Sequence, residues 1–520
     1  MNATLLVVLT AFCLRLILAG GSGLGIDESY MAAASRHFAL SYFDHPLASW
    51  WLELASRSLF GSAAPIVVRL PFVLLSGVSS WLLYLVTRRL YGRRAGFWAV
   101  VAYSIAPVFS LAFGCWVLPD GPLNAALLAF LYALIRALGL PDARGDGGAK
   151  AAKVPTLRSD VGKPPEGAAR KDKESQRPVP RWWLAAGLFA GLAMLSKYNA
   201  ALVLAGAALG VLLDPASRRE LGRLWPWAGV LLALILFSPV VVWNVQHHWA
   251  SFGYQGGRAT GLRLRPLMPL SVWGGEALYV LPWLWAPIIW LLLRAFRAGP
   301  QARASWLLAW ASIIPILLFA LVGLWSRTHI LFHWAAPGYL MLFPLLGDWA
   351  TRRSRRLMGA VAALSGALLV LAALLIVALV QFGLPPALAM SFAPGKSPML
   401  QAVDWTSIGK TMPPGIGAVA AQRWFDAGKI GYALLRDGID VPVTVFGREP
   451  HQFAFTTPPE SLLGKNILII AMPGSTTGTW NRFAPDFASF KPGPVLTVTD
   501  HGGILLAIPT FIGTDLQRAP

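Results

Sequence analysis

The sequence predicts an all-α polytopic membrane protein with about eleven transmembrane helices and a small C-terminal α/β domain. Of its 520 residues, 56% are apolar and only 13% are charged, whereas soluble domains carry about one quarter charged residues. The mean hydropathy is +0.57. Long apolar stretches recur up to residue 383, and shorter β-rich stretches follow them. These observations indicate that lipid surrounds most of residues 1–383.

Each predicted helix is an apolar stretch long enough, or nearly long enough, to cross about 30 Å of hydrocarbon. The stretches lie near residues 3–20, 66–86, 96–113, 121–139, 182–196, 198–213, 224–243, 271–293, 304–325, 333–349 and 357–383. The first one is not read as a signal peptide, because no basic residue precedes it and further apolar stretches follow. The two stretches within 182–213 are short for two crossings, so a broken or re-entrant hairpin around Lys197 is an alternative.

Basic residues are distributed unevenly between alternate loops. One set of loops carries 24 Lys and Arg residues, and the other set carries seven. The positive-inside rule places the basic set in the cytoplasm and residues 384–520 outside it. We therefore expect a multi-pass protein of the bacterial inner membrane with a periplasmic C-terminal domain. The excess of basic residues in one set of loops explains the net charge of +20, so nucleic acid is not an expected partner.

Two segments lack membrane character. Residues 140–181 combine Pro, Gly and mixed charge with almost nothing to bury, which predicts a disordered cytoplasmic loop within the membrane domain of residues 1–383. Six acidic residues interrupt its basic ones, which argues against a nucleic-acid-binding arm. Residues 384–520 contain a helix-like stretch at 425–436 and β-rich runs between Gly and Pro turns. They predict the small α/β domain.

Ionisable and aromatic residues gather in the outward loops beside the membrane. Six of the eight histidines lie there. Charged groups at a membrane face are costly to desolvate, so their convergence predicts a substrate site. The candidate site residues are Asp27, Glu28, Tyr30, Asp44, His45, Asp120, Lys197, Tyr198, His247, Arg258, Arg327 and His333.

This mixture of residues suits transfer from a phospho-linked donor. A carboxylate placed directly after a membrane helix can take a proton from an acceptor hydroxyl, while opposed cations neutralise a departing phosphate. Nearby aromatic residues such as Trp50, Trp116 and Trp334 favour a donor with a long lipid tail and a site in contact with the bilayer. The cytoplasmic segments carry no Gly-rich phosphate loop, which argues against a soluble nucleotide sugar.

Each motif taken alone also has a purely structural interpretation. Asp27 and Glu28 could cap a helix, and Asp44 could bond backbone amides in a turn. His247 could anchor an aromatic belt, and Lys197 could extend to lipid headgroups. Their joint occurrence on one membrane face is the observation that predicts chemistry.

Seven motifs occur in an order that is typical of one enzyme family. They are Asp27-Glu28-x-Tyr30, Tyr42-Phe43-Asp44-His45-Pro46-Leu47, Arg69-Leu70-Pro71, Pro119-Asp120-x-Pro122-Leu123, Leu195-Ser196-Lys197-Tyr198, Ser238-Pro239-x-x-x-Trp243-Asn244-x-Gln246-His247-x-Trp249-x-Ser251-Phe252 and His333-Trp334-x-x-Pro337-x-Tyr339. In this order the chain resembles bacterial members of glycosyltransferase family 39. These are the protein O-mannosyltransferase-like and lipid A aminoarabinose transferase-like enzymes of the glycosyltransferase-C superfamily. Residues 422–427 also resemble this group.

The resemblance implies a polyprenyl-phosphate-sugar donor and inverting transfer at the periplasmic face. The implied acceptor is lipid A, another glycolipid, a polysaccharide or a protein. Asp27 takes the catalytic role, with Glu28 beside it, and the remaining candidates bind substrate. Asp44 and His45 fall where related enzymes place residues for the donor phosphate or a metal, with His45 in place of the Lys of the aminoarabinose type.

A divalent metal is the one cofactor that these residues suggest. Asp44 and His247 are the candidate ligands, since a carboxylate and an imidazole suit an ion such as zinc. Lys197, His45, His333 and either Arg258 or Arg327 are expected to stabilise the departing polyprenyl phosphate.

Two other functions are alternatives. A transporter or lipid flippase also uses intramembrane charges, but such proteins often show paired repeats with charges near the midplane. No repeat is evident here, and the candidate charges lie at one face. An oligosaccharyl or ligase-type transferase with a lipid diphosphate donor fits the motifs less well.

Overall fold

The computed structural model describes residues 2–140, 179–258, 260–261, 263–326, 330–384, 392, 397–471 and 476–520. Almost all of the loop predicted at residues 140–181 lies outside these ranges, and so does Arg327. The predicted domain boundary after residue 383 stays a prediction, because residues 385–391 also lie outside them.

The apolar part of the chain is helical, as predicted. The described helices of eight or more residues in this part are α1 (Asn2–Gly21), α2 (Ile26–Ala34), α3 (Ala48–Phe60), α4 (Pro65–Tyr91), α5 (Arg93–Ile105), α6 (Asp120–Ala137), α7 (Arg181–Ser196), α8 (Ala200–Leu213), α9 (Leu224–Gln246), α10 (Ala250–Gly257), α11 (Met268–Val280), α12 (Pro282–Ala298), α13 (Arg303–Val322), α14 (Phe343–Thr351) and α15 (Arg355–Phe382). Their shared core is a large apolar cluster of side chains from α4 to α14.

Several of the predicted spans are short or broken helices. Five helices, namely α1, α4, α9, α13 and α15, are long and apolar enough to cross a membrane, judged by length and composition. Three further spans bend sharply, by 82° after α5, 93° after α8 and 115° between α11 and α12. Counting each bent pair as one span gives up to eight spans in the described residues. The mostly helical class is thus confirmed.

All three bends occur at a residue that precedes proline. Ala106, Asp214 and Leu281 have non-helical backbone angles, and each is followed by Pro. The proline ring clashes with the preceding residue in the α conformation, so a helix tends to end there. These breaks bring polar loops and short helices to the ends of the bundle.

The C-terminal region, residues 397–520 in the described part, mixes helices with strands, as predicted. Its elements are α16 (Trp424–Arg436), α17 (Thr476–Phe483), β1 (Ala418–Ala421), β2 (Val443–Val445), β3 (Ile467–Ile470), β4 (Phe487–Pro492), β5 (Leu496–Asp500), β6 (Gly503–Ile508) and β7 (Thr510–Leu516). A five-stranded sheet has the order β2-β1-β3-β7-β4. Strand β1 runs parallel to β2 and β3, and β7 runs antiparallel to β3 and β4. Strands β5 and β6 form a separate hairpin.

The C-terminal region packs directly on the first connecting segment, which is residues 22–64 between α1 and α4. Tyr30 and Trp50 of this segment share a buried apolar cluster with Ile430 of α16. A Cβ atom on Gly428 would lie 2.8 Å from the Cα atom of Tyr30. Only glycine permits so close an approach, so α16 touches the backbone of α2.

A buried lysine adds polar contacts to this packing. The Nζ atom of Lys429 donates to the carbonyl oxygens of Leu24, Gln401 and Val403 at 2.5, 3.0 and 3.0 Å. Burial lowers the pKa of Lys429 to about 8. The backbone N–H of Leu24 in turn donates to Asp404 at 3.1 Å. The C-terminal region therefore holds the turn that leads from α1 into α2.

Candidate active site

A cavity of about 580 Å³ lies between the first connecting segment, the ends of several membrane helices and the C-terminal region. Nine of the twelve residues predicted from the sequence line it. They are Asp27, Tyr30, Asp44, His45, Asp120, Lys197, Tyr198, Arg258 and His333. Glu28 and His247 do not line it, and Arg327 falls outside the described residues.

Asp27 presents a carboxylate to this cavity. It occupies the first turn of α2, where the helix dipole favours an anion. Among the described residues its side chain has no hydrogen-bond or ion-pair partner, although its neighbour Glu28 has several. Desolvation raises the pKa of Asp27, the charges of Asp44 and Glu28 raise it further, and His451 and Arg258 partly offset them. An unpaired carboxylate with a raised pKa suits a general base.

Glu28 faces away from the cavity into a buried ion pair. Its two oxygens accept from the Nε and Nη2 atoms of Arg69 at 2.8 and 2.6 Å. They also accept from the backbone N–H of Gly25 and of Val117 at 2.8 and 2.9 Å. Burial opposes the charged form, but Arg69 and these hydrogen bonds lower the pKa of Glu28 overall. Glu28 is thus placed to hold the turn before Asp27, not to touch a substrate.

Asp44 is the centre of a hydrogen-bonded group that includes the C-terminal region. One carboxylate oxygen accepts from the hydroxyl of Tyr30. The other accepts from the Nδ1 atom of His451 at 2.6 Å. Burial raises the pKa of Tyr30 well above its ordinary value, and the charge of Asp44 adds to the effect, so the hydroxyl stays a donor. The backbone N–H of Gln452 completes the group by donating to the Tyr30 hydroxyl at 2.8 Å.

Lys197 forms a buried ion pair with Asp120. The Nζ atom lies 2.7 Å from the carboxylate, and both side chains are less than one-tenth exposed. Lys197 follows α7 in extended conformation, whereas Asp120 begins α6. The break between α7 and α8 therefore delivers the lysine to the cavity, but its charge is already balanced.

Two of the predicted cations are neutral at pH 7. Burial and the nearby charge of Lys197 lower the pKa of His45 to about 3 and that of His333 to about 4. Both imidazoles line the cavity as neutral polar groups. They are better suited to hydrogen bonds with hydroxyl groups than to charge neutralisation.

Arg258 remains as a cation without a carboxylate partner among the described residues. Its guanidinium lies 4.4 Å from the ring centre of Tyr254 and 5.4 Å from that of Trp334. Its Nη2 atom donates to the Tyr254 hydroxyl at 2.5 Å. These contacts orient the charge without cancelling it, so Arg258 is available to an anionic ligand in the cavity.

The predicted metal ligands, Asp44 and His247, both have hydrogen-bond partners within the protein. His247 stacks on Trp243 at 4.1 Å, and its Nδ1 atom bonds the carbonyl of the same residue at 2.7 Å. Asp44 already uses both oxygens for Tyr30 and His451. Within the described ranges no three His, Cys, Asp or Glu residues are grouped to hold an ion. The assignment of Asp44 and His247 as metal ligands stays a prediction.

Comparisons with known proteins show what this chain is similar to. The family model for dolichyl-phosphate-mannose-protein mannosyltransferase matches residues 44–144 and 173–243. The crystal structure of apo ArnT from Cupriavidus metallidurans aligns with a TM-score of 0.60 and 16% identity over 98% of this chain and 97% of that one. This likeness shows that the chain has the same fold as ArnT. The resemblance to glycosyltransferase family 39 that the motif order predicts is thereby confirmed.

Two further proteins are also similar to this chain. The lipid A galacturonosyltransferase RgtD of Rhizobium johnstonii is 24% identical over 309 residues, which are 57% of this chain and 54% of RgtD. The chain therefore spans about half the length of that curated relative. The archaeal oligosaccharyltransferase AglB from Archaeoglobus fulgidus has a TM-score of only 0.41 at 13% identity, over 90% of this chain and 69% of AglB, a likeness too weak to support any inference.

Sequence reasoning missed several residues that line the cavity. They are Tyr254, Gln255, Trp424 and His451. His451 lies 407 residues from Asp44 along the chain, so no local pattern connects them. The resemblance of residues 422–427 to the family was the one signal that the C-terminal region reaches the site, and it concerned Trp424 rather than His451.

Proposed function

We propose that this protein is a membrane glycosyltransferase that moves a sugar from a polyprenyl-phosphate-linked donor to an acceptor hydroxyl. The observation that carries the proposal is that one cavity contains both Asp27, a carboxylate with no partner among the described residues, and Arg258, a cation with no carboxylate partner among them. A base for the acceptor and a cation for the departing phosphate are what such a transfer requires.

The lining of the cavity supports a donor with a lipid tail. Leu318, Phe319 and Val322 of α13, together with Leu202 of α8, form an apolar wall. Both helices belong to apolar spans of the bundle. A tail can therefore leave the polar end of the cavity along apolar side chains while the phosphate stays near Arg258.

The proposed reaction needs two groups of this chain at the reacting atoms. Asp27 takes the proton of the acceptor hydroxyl, and the acceptor oxygen forms a bond to the anomeric carbon. The bond between that carbon and the phosphate oxygen breaks, and polyprenyl phosphate leaves with the electron pair. Arg258 stabilises the charge that grows on the phosphate. Attack opposite the leaving group inverts the anomeric carbon, and Asp27 then loses its proton to water.

The other cavity residues have binding roles in this proposal. His45, His333 and Tyr198 offer neutral polar groups to sugar hydroxyls, and the Lys197 and Asp120 pair lies beside them. Glu28 positions the turn before Asp27. The site lies at the periplasmic face of the inner membrane, which the distribution of basic residues supports. The name of RgtD makes lipid A, or a similar glycolipid, the first acceptor to test.

A transfer assay with purified protein tests the proposal. The protein is incubated with polyprenyl-phosphate sugars and lipid A, and released polyprenyl phosphate and glycosylated lipid A are both measured. We expect both products in equal amounts, and a loss of about a hundredfold or more in rate for Asp27→Asn, the usual scale for a general base. A transporter would release no polyprenyl phosphate.

A matched control for Asp27→Asn is Asp440→Asn. The Asp440 side chain is 94% exposed and pairs with Arg36 at the surface, so this variant should keep normal activity. Near-normal transfer by Asp27→Asn would remove Asp27 from the mechanism.

A further inference from the structure

The imidazole of His451, in the C-terminal region, lines the cavity and has no role in the proposed reaction. His451 lines the cavity beside Asp27 and Arg258. We infer that His451 is a second ligand of the departing phosphate, so that the C-terminal region supplies a residue to the catalytic centre. This inference rests on the proposed function, because it assigns a phosphate to this end of the cavity.

The hydrogen bonds of His451 leave one ring nitrogen open. Its Nδ1 atom is 2.6 Å from Asp44, and a carboxylate accepts only from a protonated nitrogen. Its Nε2 atom has no partner among the described residues. The same division of labour occurs when a carboxylate orients a catalytic imidazole, with one nitrogen tethered and the other directed at the substrate. The open Nε2 atom can accept a hydrogen bond from a singly protonated phosphate, or donate one when it carries a proton.

The positions of the other charges favour a phosphate at this side of the cavity. The ring of Tyr254 has the guanidinium of Arg258 at 4.4 Å and the ring of His451 at 5.4 Å. Arg258 and His451 therefore flank one aromatic side chain. Lys197, by contrast, is balanced by Asp120. A phosphate that bridges Arg258 and His451 meets a guanidinium with no carboxylate partner and an imidazole nitrogen with no partner among the described residues.

The surroundings of His451 fix the direction of its ring. It packs against Trp424 at 5.0 Å and against Phe43 at 5.7 Å between ring centres. Its backbone is in the left-handed region, with φ of 51°. The residue is only 9% exposed. An imidazole held in this way loses little rotational freedom when it binds a ligand.

Two substitutions separate contact with phosphate from a purely structural role. In His451→Asn the amide nitrogen can replace Nδ1 and keep the bond to Asp44, but nothing replaces Nε2. Asn also tolerates a positive φ better than most residues. In His451→Gln the longer side chain can place an amide donor where Nε2 was, at the expense of the bond to Asp44. If His451 contacts the phosphate, His451→Asn should weaken phosphate binding more than His451→Gln does. If His451 only supports Asp44, His451→Gln should weaken it more.

Direct binding of the product is the measurement. We expect the dissociation constant for polyprenyl phosphate to rise about tenfold or more in His451→Asn, the usual scale for a hydrogen bond to a charged group, and to rise less in His451→Gln. Binding of the matching polyprenol, which lacks the phosphate, should be unchanged. His501→Gln is the control, because His501 lies in the C-terminal region, bonds the carbonyl of Gln381 and does not line the cavity.

Binding does not require turnover, so the outcomes can be told apart. Unchanged affinity of His451→Asn for polyprenyl phosphate would overturn the inference, and so would an equal loss of affinity for polyprenol. A greater loss in His451→Gln than in His451→Asn would show a structural role instead. Selective loss of phosphate binding in a protein that transfers no sugar would uphold the His451 contact and overturn the proposed function.

Discussion

At the scale of single residues, the cavity separates charges that are balanced from charges that are free. Lys197 and Asp120 neutralise each other, and Glu28 is committed to Arg69. Asp27 has no such partner within the described ranges. The sequence could show which ionisable residues converge, because the candidate residues lie in or beside the outward loops. It could not show which of them are paired, since pairing depends on distances between separate helices.

The free carboxylate predicts a specific pH dependence. A general base works only when ionised, so activity should fall as pH falls through the pKa of Asp27. Burial raises that pKa and the charge of Arg258 lowers it. Removing the charge in Arg258→Gln should therefore shift the acid limb of kcat/KM for the acceptor to higher pH. The shift is measured by determining kcat/KM for the acceptor at about ten pH values between 4 and 9, in the unaltered protein and in Arg258→Gln.

Arg258→Lys is the matched control for this shift. It keeps a cation near Asp27 but loses the planar contact with Tyr254, so its rate can fall while its acid limb stays close to the native position. An identical acid limb in Arg258→Gln and in the unaltered protein would show that Asp27 is not the titrating base.

At the scale of secondary-structure elements, hydrophobic length predicted where helices lie but not where they break. The stretches near 96–113 and 271–293 were expected as single spans, whereas each is divided at a residue before Pro. The two prolines, Pro107 and Pro282, are visible in the sequence. Proline within a membrane helix is often tolerated, so the sequence alone does not say which prolines end a helix. The short strands of the C-terminal region were recognised because Gly and Pro turns bound them.

The contact between α2 and α16 predicts a severe effect from one added methyl group. In Gly428→Ala the new Cβ atom would lie 2.8 Å from the Cα atom of Tyr30, so the two helices must move apart. Overpacking of this kind costs about 1 to 3 kcal/mol, and it should also displace Asp27 at the start of α2. We expect a lower unfolding temperature of the C-terminal region and reduced transfer, measured by thermal unfolding and by the transfer assay.

The same methyl group at an open position provides the comparison. Gly478 lies in α17, and a Cβ atom added there would meet no described atom within 4 Å. Gly478→Ala should therefore keep stability and activity, because Ala favours helix more than Gly does. Normal transfer by Gly428→Ala would mean that α16 does not position Asp27, the proposed base.

At the scale of the whole molecule, the site is complete only when the C-terminal region packs on the first connecting segment. His451 reaches Asp44, and Lys429 bonds the carbonyl of Leu24 before α2. Composition predicted the fold class correctly, with an apolar helical part followed by a part that contains strands. It could not predict that they share a hydrophobic cluster, because the surfaces that meet are short stretches hundreds of residues apart. The site belongs to the interface as much as to the membrane helices.

This arrangement makes the orientation of the C-terminal region decisive, because the proposed lipid-linked donor and its acceptor must reach the cavity from the side on which that region lies. The count of 24 basic residues against seven predicts that this side is the periplasm. In a variant with Cys13 and Cys115 replaced by Ser, Asp440→Cys should react with a membrane-impermeant maleimide in cells whose outer membrane is permeabilised. Asp440 is suited to this because its side chain is 94% exposed.

Arg219→Cys provides the opposite arm of the labelling experiment, since Arg219 is exposed and lies in a segment of the basic set. It should stay unlabelled in intact cells and react only after lysis. Labelling at residue 219 but not at residue 440 would place the cavity on the cytoplasmic side. That result would weaken the case for a polyprenyl-linked donor. Such a donor is proposed because soluble nucleotide sugars do not reach a periplasmic site, and they would reach a cytoplasmic one.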